Sequence, residues 1–275
     1  DYGRDFHAIH GGVADFRAGA APLYDLAVIG DNPLTDRYKY PPQFALLFAP
    51  FAMLPFSAAF TAWRIVNLAL LAVAAVALLR AYRLPPRSWA ALGLLLVILS
   101  LRPVADTLRY GQVDMPLLAL IALALLALRR GRPWLWGALV GVAAVLKLYP
   151  AFLLGLALAR RAWRPVAGAA LAGLALTAAS VALLGWEVHW TFLTQVLGAT
   201  GAATGWVENQ TVGGLLSRAL SPERVALEPD PRLAVRLASY AWAAAVAAVT
   251  VWLTRPGAMD EDLAFGLWVT ATLLA

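Results

Sequence analysis

An all-α fold, a bundle of helices embedded in a membrane, follows from three features of the amino-acid sequence. Hydrophobic residues make up 61% of the chain and charged residues only 14%, against roughly 25% in a soluble domain, and the mean hydropathy is +0.71. The apolar stretches are long Leu- and Ala-rich blocks separated by Pro and Gly, without the two-residue alternation of barrel strands. Arginines gather at the ends of those blocks, where they orient membrane segments. The formal charge of +6 is therefore no argument for nucleic acid. Without cysteine, disulfides, thiolate metal sites and cysteine nucleophiles are excluded.

Residues 1–42 read as a long polar outer loop rich in carboxylates, and loops of that length are usually functional or disordered. Residues 43–54 are apolar but short, broken by Pro50 and ended by Pro55, so a helix lying at the interface is expected. The first full span is 57–80, with Trp63 near its start and Arg80 and Arg83 at its exit. Segments 88–101 and 113–128 flank the polar stretch RPVADTLRYGQVD. Each covers roughly 21 to 24 Å as a helix, short of a hydrocarbon core about 30 Å thick. Segment 134–160 is either one span with Lys147 near its centre or two short helices broken at Lys147-Leu-Tyr-Pro150. The broken form is expected, because it returns Arg129-Arg130 and Arg160-Arg161 to one side. Spans at 166–184 and 233–253 follow, with an outer polar loop at 185–232 between them and a further helix beginning at Leu263. The whole reads as a single membrane-embedded domain. The chain opens without an initiator Met and stops inside an apolar run, so a preceding helix and a C-terminal continuation are expected.

Charge orients this threading. The loops holding Arg80, Arg83 and Arg87, then Arg129, Arg130 and Arg132, then Arg160, Arg161 and Arg164, then Arg255 contain only Asp260, Glu261 and Asp262 as acids. By the positive-inside rule that face is cytoplasmic, so the opening loop, RPVADTLRYGQVD, Lys147 and segment 185–232 share the outer face of a plasma membrane, expected to be bacterial. Short helices there would leave a hollow in the outer leaflet, roofed by loops. Asp5, His7, His10, Asp15, Asp25, Asp31 and Asp36 supply it with carboxylates and imidazoles. Arg4, Lys39, Arg102, Arg109, Lys147 and Arg218 supply cations suited to a phosphate. Acid beside a phosphate grip points to group transfer from a lipid phosphate.

Single residues carry this reading unequally. Lys147 is the strongest candidate for a lipid phosphate, since an ammonium among Val145, Leu146 and Leu148 is costly unless an anion meets it or it snorkels to the interface. Arg102 and Arg109 would grip the same phosphate or serve as interface anchors. Arg4 lies beside Asp5 as a possible ion pair, His7 or His10 would bind sugar hydroxyls or lie plain in the loop, and Tyr40 closes the loop at the substrate side. Gln112 and Asn209 would bond sugar hydroxyls or cap loops, and Trp186, Trp190 and Trp206 read better as an interface belt than as sugar platforms. No HExxH-type spacing and no glycine-rich phosphate loop after a strand is present, so no metal and no nucleotide-sugar site is expected.

Order and spacing of short motifs add a resemblance. Asp5-Phe6, Gly19 with Leu23-Tyr24-Asp25, Tyr40-Pro41-Pro42, Pro50 and Leu54-Pro55 resemble the first outer loop of glycosyltransferase family 87. Gly111-Gln112, the series Gly137, Gly141, Lys147 and Pro150, and Asn209-Gln210 before Gly213-Gly214 are similar to its later motifs, although here Val113 separates Gln112 from Asp114. The resemblance implies a membrane-embedded transferase of the C-type glycosyltransferase fold that uses a polyprenyl-phosphate-linked hexose, mannose, as donor and needs no further cofactor. It implies a glycolipid or cell-envelope glycan as acceptor, membrane lipids as surroundings, inversion at the anomeric carbon, and Asp5 as the general base. The rival readings are a transporter or lipid-linked-saccharide flippase, favoured by broken helices and an intramembrane lysine but not by any internal repeat, and a non-catalytic scaffold.

Overall fold

Phe6, Ile9 and Val13 recur at helical spacing and are all buried, and they are the inner stripe of the first helix, α1 (Arg4–Arg17). This corrects the expectation of a structureless loop over residues 1–42. The stripe was present in the sequence, but Gly11, Gly12 and the surrounding charges diluted it. The computed structural model describes residues 3–24, 38–200, 204–205, 209–220 and 232–274. Asp25, Asp31, Asp36 and Trp206 lie outside the described residues. Among the described residues the fold is helical and has no strands.

The next element, α2 (Pro42–Phe48), starts with proline at its first turn, where a missing N–H costs nothing. It was expected to lie at the interface, yet Pro42, Gln43, Phe44, Ala45 and Phe48 are buried, because it packs beneath α1 rather than on lipid. A single 3₁₀ turn (Phe51–Met53) leads into α3 (Phe56–Ala81), whose 26 residues reach about 39 Å. Helix α4 (Trp89–Ser100), capped by the Ser88 side chain, and α5 (Arg102–Tyr110) form a pair bent by 51°. Pro103 near the start of α5 suits this new beginning. Helices α6 (Asp114–Arg129) and α7 (Pro133–Leu146) follow. Lys147 leaves the helix with extended backbone, a 3₁₀ turn (Tyr149–Leu153) contains Pro150, and α8 (Leu154–Ala159) returns. The break therefore lies where arginine sidedness requires it.

Helix α9 (Trp163–Leu184) is a second long apolar helix. Residues 185–232, expected as a loop, contain α10 (Trp186–Thr191), a π-helical turn (Phe192–Val196), α11 (Leu197–Thr200) and α12 (Val212–Leu220). Polar residues hid these short helices, which are stabilised by packing more than by an apolar run. The chain continues in α13 (Leu233–Leu253) and α14 (Glu261–Leu274). Helices α3, α9 and α13 are long and apolar enough to cross a membrane, and the bent pair α4–α5 qualifies as a broken span. Leu68, Leu171, Leu174, Val249 and Trp252 on these helices are exposed, as lipid-facing side chains must be.

Small residues let α7 and α9 touch backbone to backbone. A Cβ on Gly137 would run into the Pro165 carbonyl, and one on Gly141 into Ala169. Close approach of this kind replaces the hydrophobic drive that lipid does not provide. Gly137→Val is expected to force the pair apart at a cost of roughly 1 to 3 kcal/mol and to lower the thermal midpoint of the detergent-extracted protein by several degrees. An unchanged midpoint would mean that α7 and α9 separate freely.

The arginine loops expected on one face gather at the far end of α3 and α6. Arg129 pairs with Asp262 at 3.1 Å and Arg160 with Glu261 at 3.7 Å, so two of the arginine loops meet the one acidic loop expected on their face.

Candidate active site

Four elements converge at the opposite end. Phe6 anchors the start of α1 among Phe48, Phe56 and Phe60, with ring centroids 5.1 to 5.5 Å away, and this fixes Asp5 beside it. The Gly3 N–H donates to the Arg109 carbonyl at 2.9 Å and ties α1 to the end of α5. There the chain turns at Gly111, whose φ of 76° is left-handed and whose missing side chain leaves room for Phe6. Trp63 Nε1 holds the Gly111 carbonyl at 3.0 Å. The turn directs Gln112 at Asp5, and its amide donates to Asp5 Oδ2 at 2.6 Å.

A second pair stands beside the first. Lys147 Nζ donates to Asp114 Oδ1 at 3.0 Å, with both side chains a little over one third exposed, and the ammonium lies 5.5 Å from the Tyr149 ring centre. The anion demanded by an ammonium in this setting is thus partly supplied by the protein. Asp114 escaped the sequence reading because its match to the Gly-Gln motif is interrupted by Val113. The signal that could have found it is the cost of Lys147 itself, which calls for a nearby carboxylate.

Tyr40 links the two pairs. Burial raises its phenol pKa well above the ordinary tyrosine range, and the charges of Asp5 and then Asp114 push it in the same direction. It is consequently a neutral hydrogen-bond donor at physiological pH. The Tyr24 hydroxyl donates to the Tyr40 carbonyl and the Tyr38 hydroxyl to the Pro41 carbonyl, each at 2.8 Å, so the segment is held at both ends. A cavity of about 410 Å³ opens on this side, lined by Tyr40, Lys147, Tyr149, Phe192 and Leu197 among others. Its walls are mostly apolar with cations at the rim, which suits an amphiphile with an anionic head.

The remaining candidates are placed elsewhere. Arg102 pairs with Asp106 one turn along α5 at 3.2 Å with its side chain 86% exposed, a surface pair of small energetic value. Arg109 is exposed and lies over the Tyr110 ring, and Arg4 is exposed on α1. His7 is exposed against the Phe56 ring, while His10 Nε2 bonds the Leu54 carbonyl at 3.0 Å and serves the packing of α1. Asn209 closes a turn ahead of α12: its Oδ1 accepts from the Thr211 hydroxyl at 2.7 Å, and Gly214 allows the helix to sit against it. Trp186 and Trp190 are exposed and stack on each other. Of the predicted set, the structure brings Asp5, Tyr40, Gln112 and Lys147 together. Among the described residues no three His, Asp or Glu side chains form a metal-binding group.

The chain is thus a helical membrane protein in which Tyr40 and Lys147 line a largely apolar cavity of about 410 Å³ and connect it to the carboxylates of Asp5 and Asp114. Residues 38–275 match glycosyltransferase family 87, and the chain belongs to that family. The match includes Tyr40, Gln112, Asp114 and Lys147; α1, with Asp5, precedes it. An α-(1→3)-arabinofuranosyltransferase of Mycobacterium tuberculosis, in strains CDC 1551 / Oshkosh and ATCC 25618 / H37Rv, is 32% identical over 110 residues, 40% of this chain. That stretch is 24% of the relative's own length. No solved structure matches the chain.

Proposed function

We propose that this protein transfers a sugar from a polyprenyl-phosphate donor to a hydroxyl of a glycolipid or cell-envelope glycan on the outer face of the membrane, with inversion. The observation that carries the proposal is the placement of Asp5, held by Gln112, across Tyr40 from the Lys147–Asp114 pair. In this reading Asp5 accepts the proton of the acceptor hydroxyl while the hydroxyl oxygen bonds to the anomeric carbon. The bond from that carbon to the phosphate oxygen breaks on the opposite face, and the lipid phosphate leaves with its electron pair. Lys147 meets the charge that grows on the phosphate, its ammonium shared with or drawn from Asp114. Tyr40, kept neutral, donates to a sugar or phosphate oxygen. The apolar wall of the cavity takes the polyprenyl chain, no metal or other cofactor takes part, and no nucleic acid is bound. Family membership favours transfer over the flippase and scaffold readings.

The sugar is a hexose, mannose by the family resemblance. The arabinofuranosyltransferase relative supports a second reading, a pentofuranose on the same lipid carrier. Incubating membranes that contain the protein with radiolabelled polyprenyl-phosphate-mannose and, separately, with polyprenyl-phosphate-arabinose decides between them by which label enters the lipid extract. Label from neither donor would sink the proposal. Lys147→Gln is expected to lower kcat/KM for the active donor roughly ten- to hundredfold, since a charged hydrogen bond to the phosphate is lost. The Asp114→Asn/Lys147→Gln double variant should relieve the unpaired carboxylate and regain stability without regaining donor use. Donor kinetics unchanged in Lys147→Gln would remove the lysine from the phosphate site.

A further inference from the structure

The end of the molecule away from Asp5 contains a second cavity, of about 560 Å³, that the proposed reaction does not use. Arg80 and Arg83 reach it from the end of α3, and Arg129 and Arg130 from the end of α6. The acidic turn at Asp260, Glu261 and Asp262 forms the rest of its polar rim.

These acids are already engaged. Asp262 pairs with Arg129 at 3.1 Å, Glu261 with Arg160 at 3.7 Å, and Asp260 Oδ1 accepts the backbone N–H groups of Asp262 and Leu263 at 3.0 and 2.9 Å, capping α14. Arg129 is further fixed by the Tyr82 ring, 4.8 Å from its guanidinium carbon. Among the described residues, Arg80, Arg83 and Arg130 have neither an ion pair nor a hydrogen-bond partner for their guanidinium groups. Arg83 also takes a left-handed φ of 52° to close the turn after α3, a conformation uncommon for a residue with a side chain. The rim sets four arginines against three carboxylates that are engaged with Arg129, Arg160 and the start of α14, which leaves the guanidinium donors of Arg80, Arg83 and Arg130 for an added anion to fill. Arg87, Arg132 and Arg161 serve the same face as topology anchors without lining this cavity, so sidedness alone does not account for the grouping.

We propose that Arg80, Arg83 and Arg130 form a site for a phosphate-bearing anion. Planar guanidinium groups match phosphate oxygens two at a time, and an anion here would bridge the ends of α3 and α6 next to α14. A phospholipid head group and a soluble phosphate compound would satisfy the same chemistry. This site is independent of the transfer reaction proposed above.

The test uses the protein purified and delipidated in non-ionic detergent, with phosphatidylglycerol, phosphatidylcholine and inorganic pyrophosphate as probes. Thermal midpoint and native mass spectrometry are the readouts. Phosphatidylglycerol bound in preference to phosphatidylcholine identifies a lipid source; pyrophosphate that stabilises the protein and displaces the lipid identifies a soluble one. In either case Arg80→Gln/Arg83→Gln/Arg130→Gln should weaken binding by about tenfold or more, the loss of at least one charge-assisted contact. The equally neutralising Arg87→Gln/Arg132→Gln/Arg161→Gln variant should bind as the wild type does. Equal weakening in both variants, or no preference for either anionic probe over zwitterionic phosphatidylcholine, overturns the site. Should the triple variant fail to fold, Arg83→Gln alone is compared with Arg87→Gln by the same readouts and the same criterion.

Discussion

Asp5→Asn should abolish measurable sugar transfer while leaving the protein folded. Asparagine has the carboxylate's shape and can still accept from Gln112, so the contact at 2.6 Å between α1 and the α5 turn survives. It cannot take the acceptor's proton, and loss of a general base costs about 10²- to 10⁴-fold in rate. The measurement is radiolabel transferred to lipid by wild type and variant at equal protein level, with the thermal midpoint as a folding control. A variant that transfers at the wild-type rate would reassign the base, and Asp114 would be the next carboxylate to examine. A variant that fails in both assays would show that Asp5 serves the fold. Because α1 lies before the family match, this result also decides whether the segment preceding residue 38 belongs to the catalytic unit.

Gly111→Ala should damage structure and activity together. A Cβ at this position would stand 2.5 Å from Phe6 Cβ and 3.1 Å from the Phe60 ring, and the left-handed φ of 76° disfavours any side chain. The backbone penalty is about 1 to 2 kcal/mol, and overpacking adds about 1 to 3 kcal/mol. Either Phe6 yields and moves Asp5, or the turn rotates and withdraws Gln112. A midpoint lowered by several degrees with transfer reduced beyond the loss of folded protein is the expected pair of results. Gln112→Ala separates the two effects, since it removes the amide without touching the turn. It should lower transfer with a smaller change in midpoint. Equal midpoints in wild type and Gly111→Ala would show that Phe6 is not tightly held.

Large terms that act locally were legible from the residues alone. Burying apolar blocks in lipid and keeping arginines out of it are each worth several kcal/mol per segment, so the all-helical membrane fold, the span at 233–253 and the break at Lys147 could be read directly. Lys147 stood out for the same reason, because an ammonium within the local run Val145-Leu146-Lys147-Leu148 is costly whichever distant residue meets it. The helix α1 was less legible: its three buried residues form a narrow stripe in a polar segment, and only the aromatic floor beneath it makes the helix stable.

Pairing was decided by tertiary structure. Asp5 and Gln112 are 107 residues apart and Lys147 and Asp114 are 33 apart, and no local spacing rule connects them. Tyr40 became the link between them because Tyr24, Tyr38 and the aromatic packing of α2 hold it there. The residues alone specified the long apolar spans and the grouping of the arginines at one end of the bundle, since transfer free energy is a property of each segment. Only the folded chain decided which carboxylate meets which cation, since contact energies of about 1 to 3 kcal/mol exist only once the helices have been placed side by side.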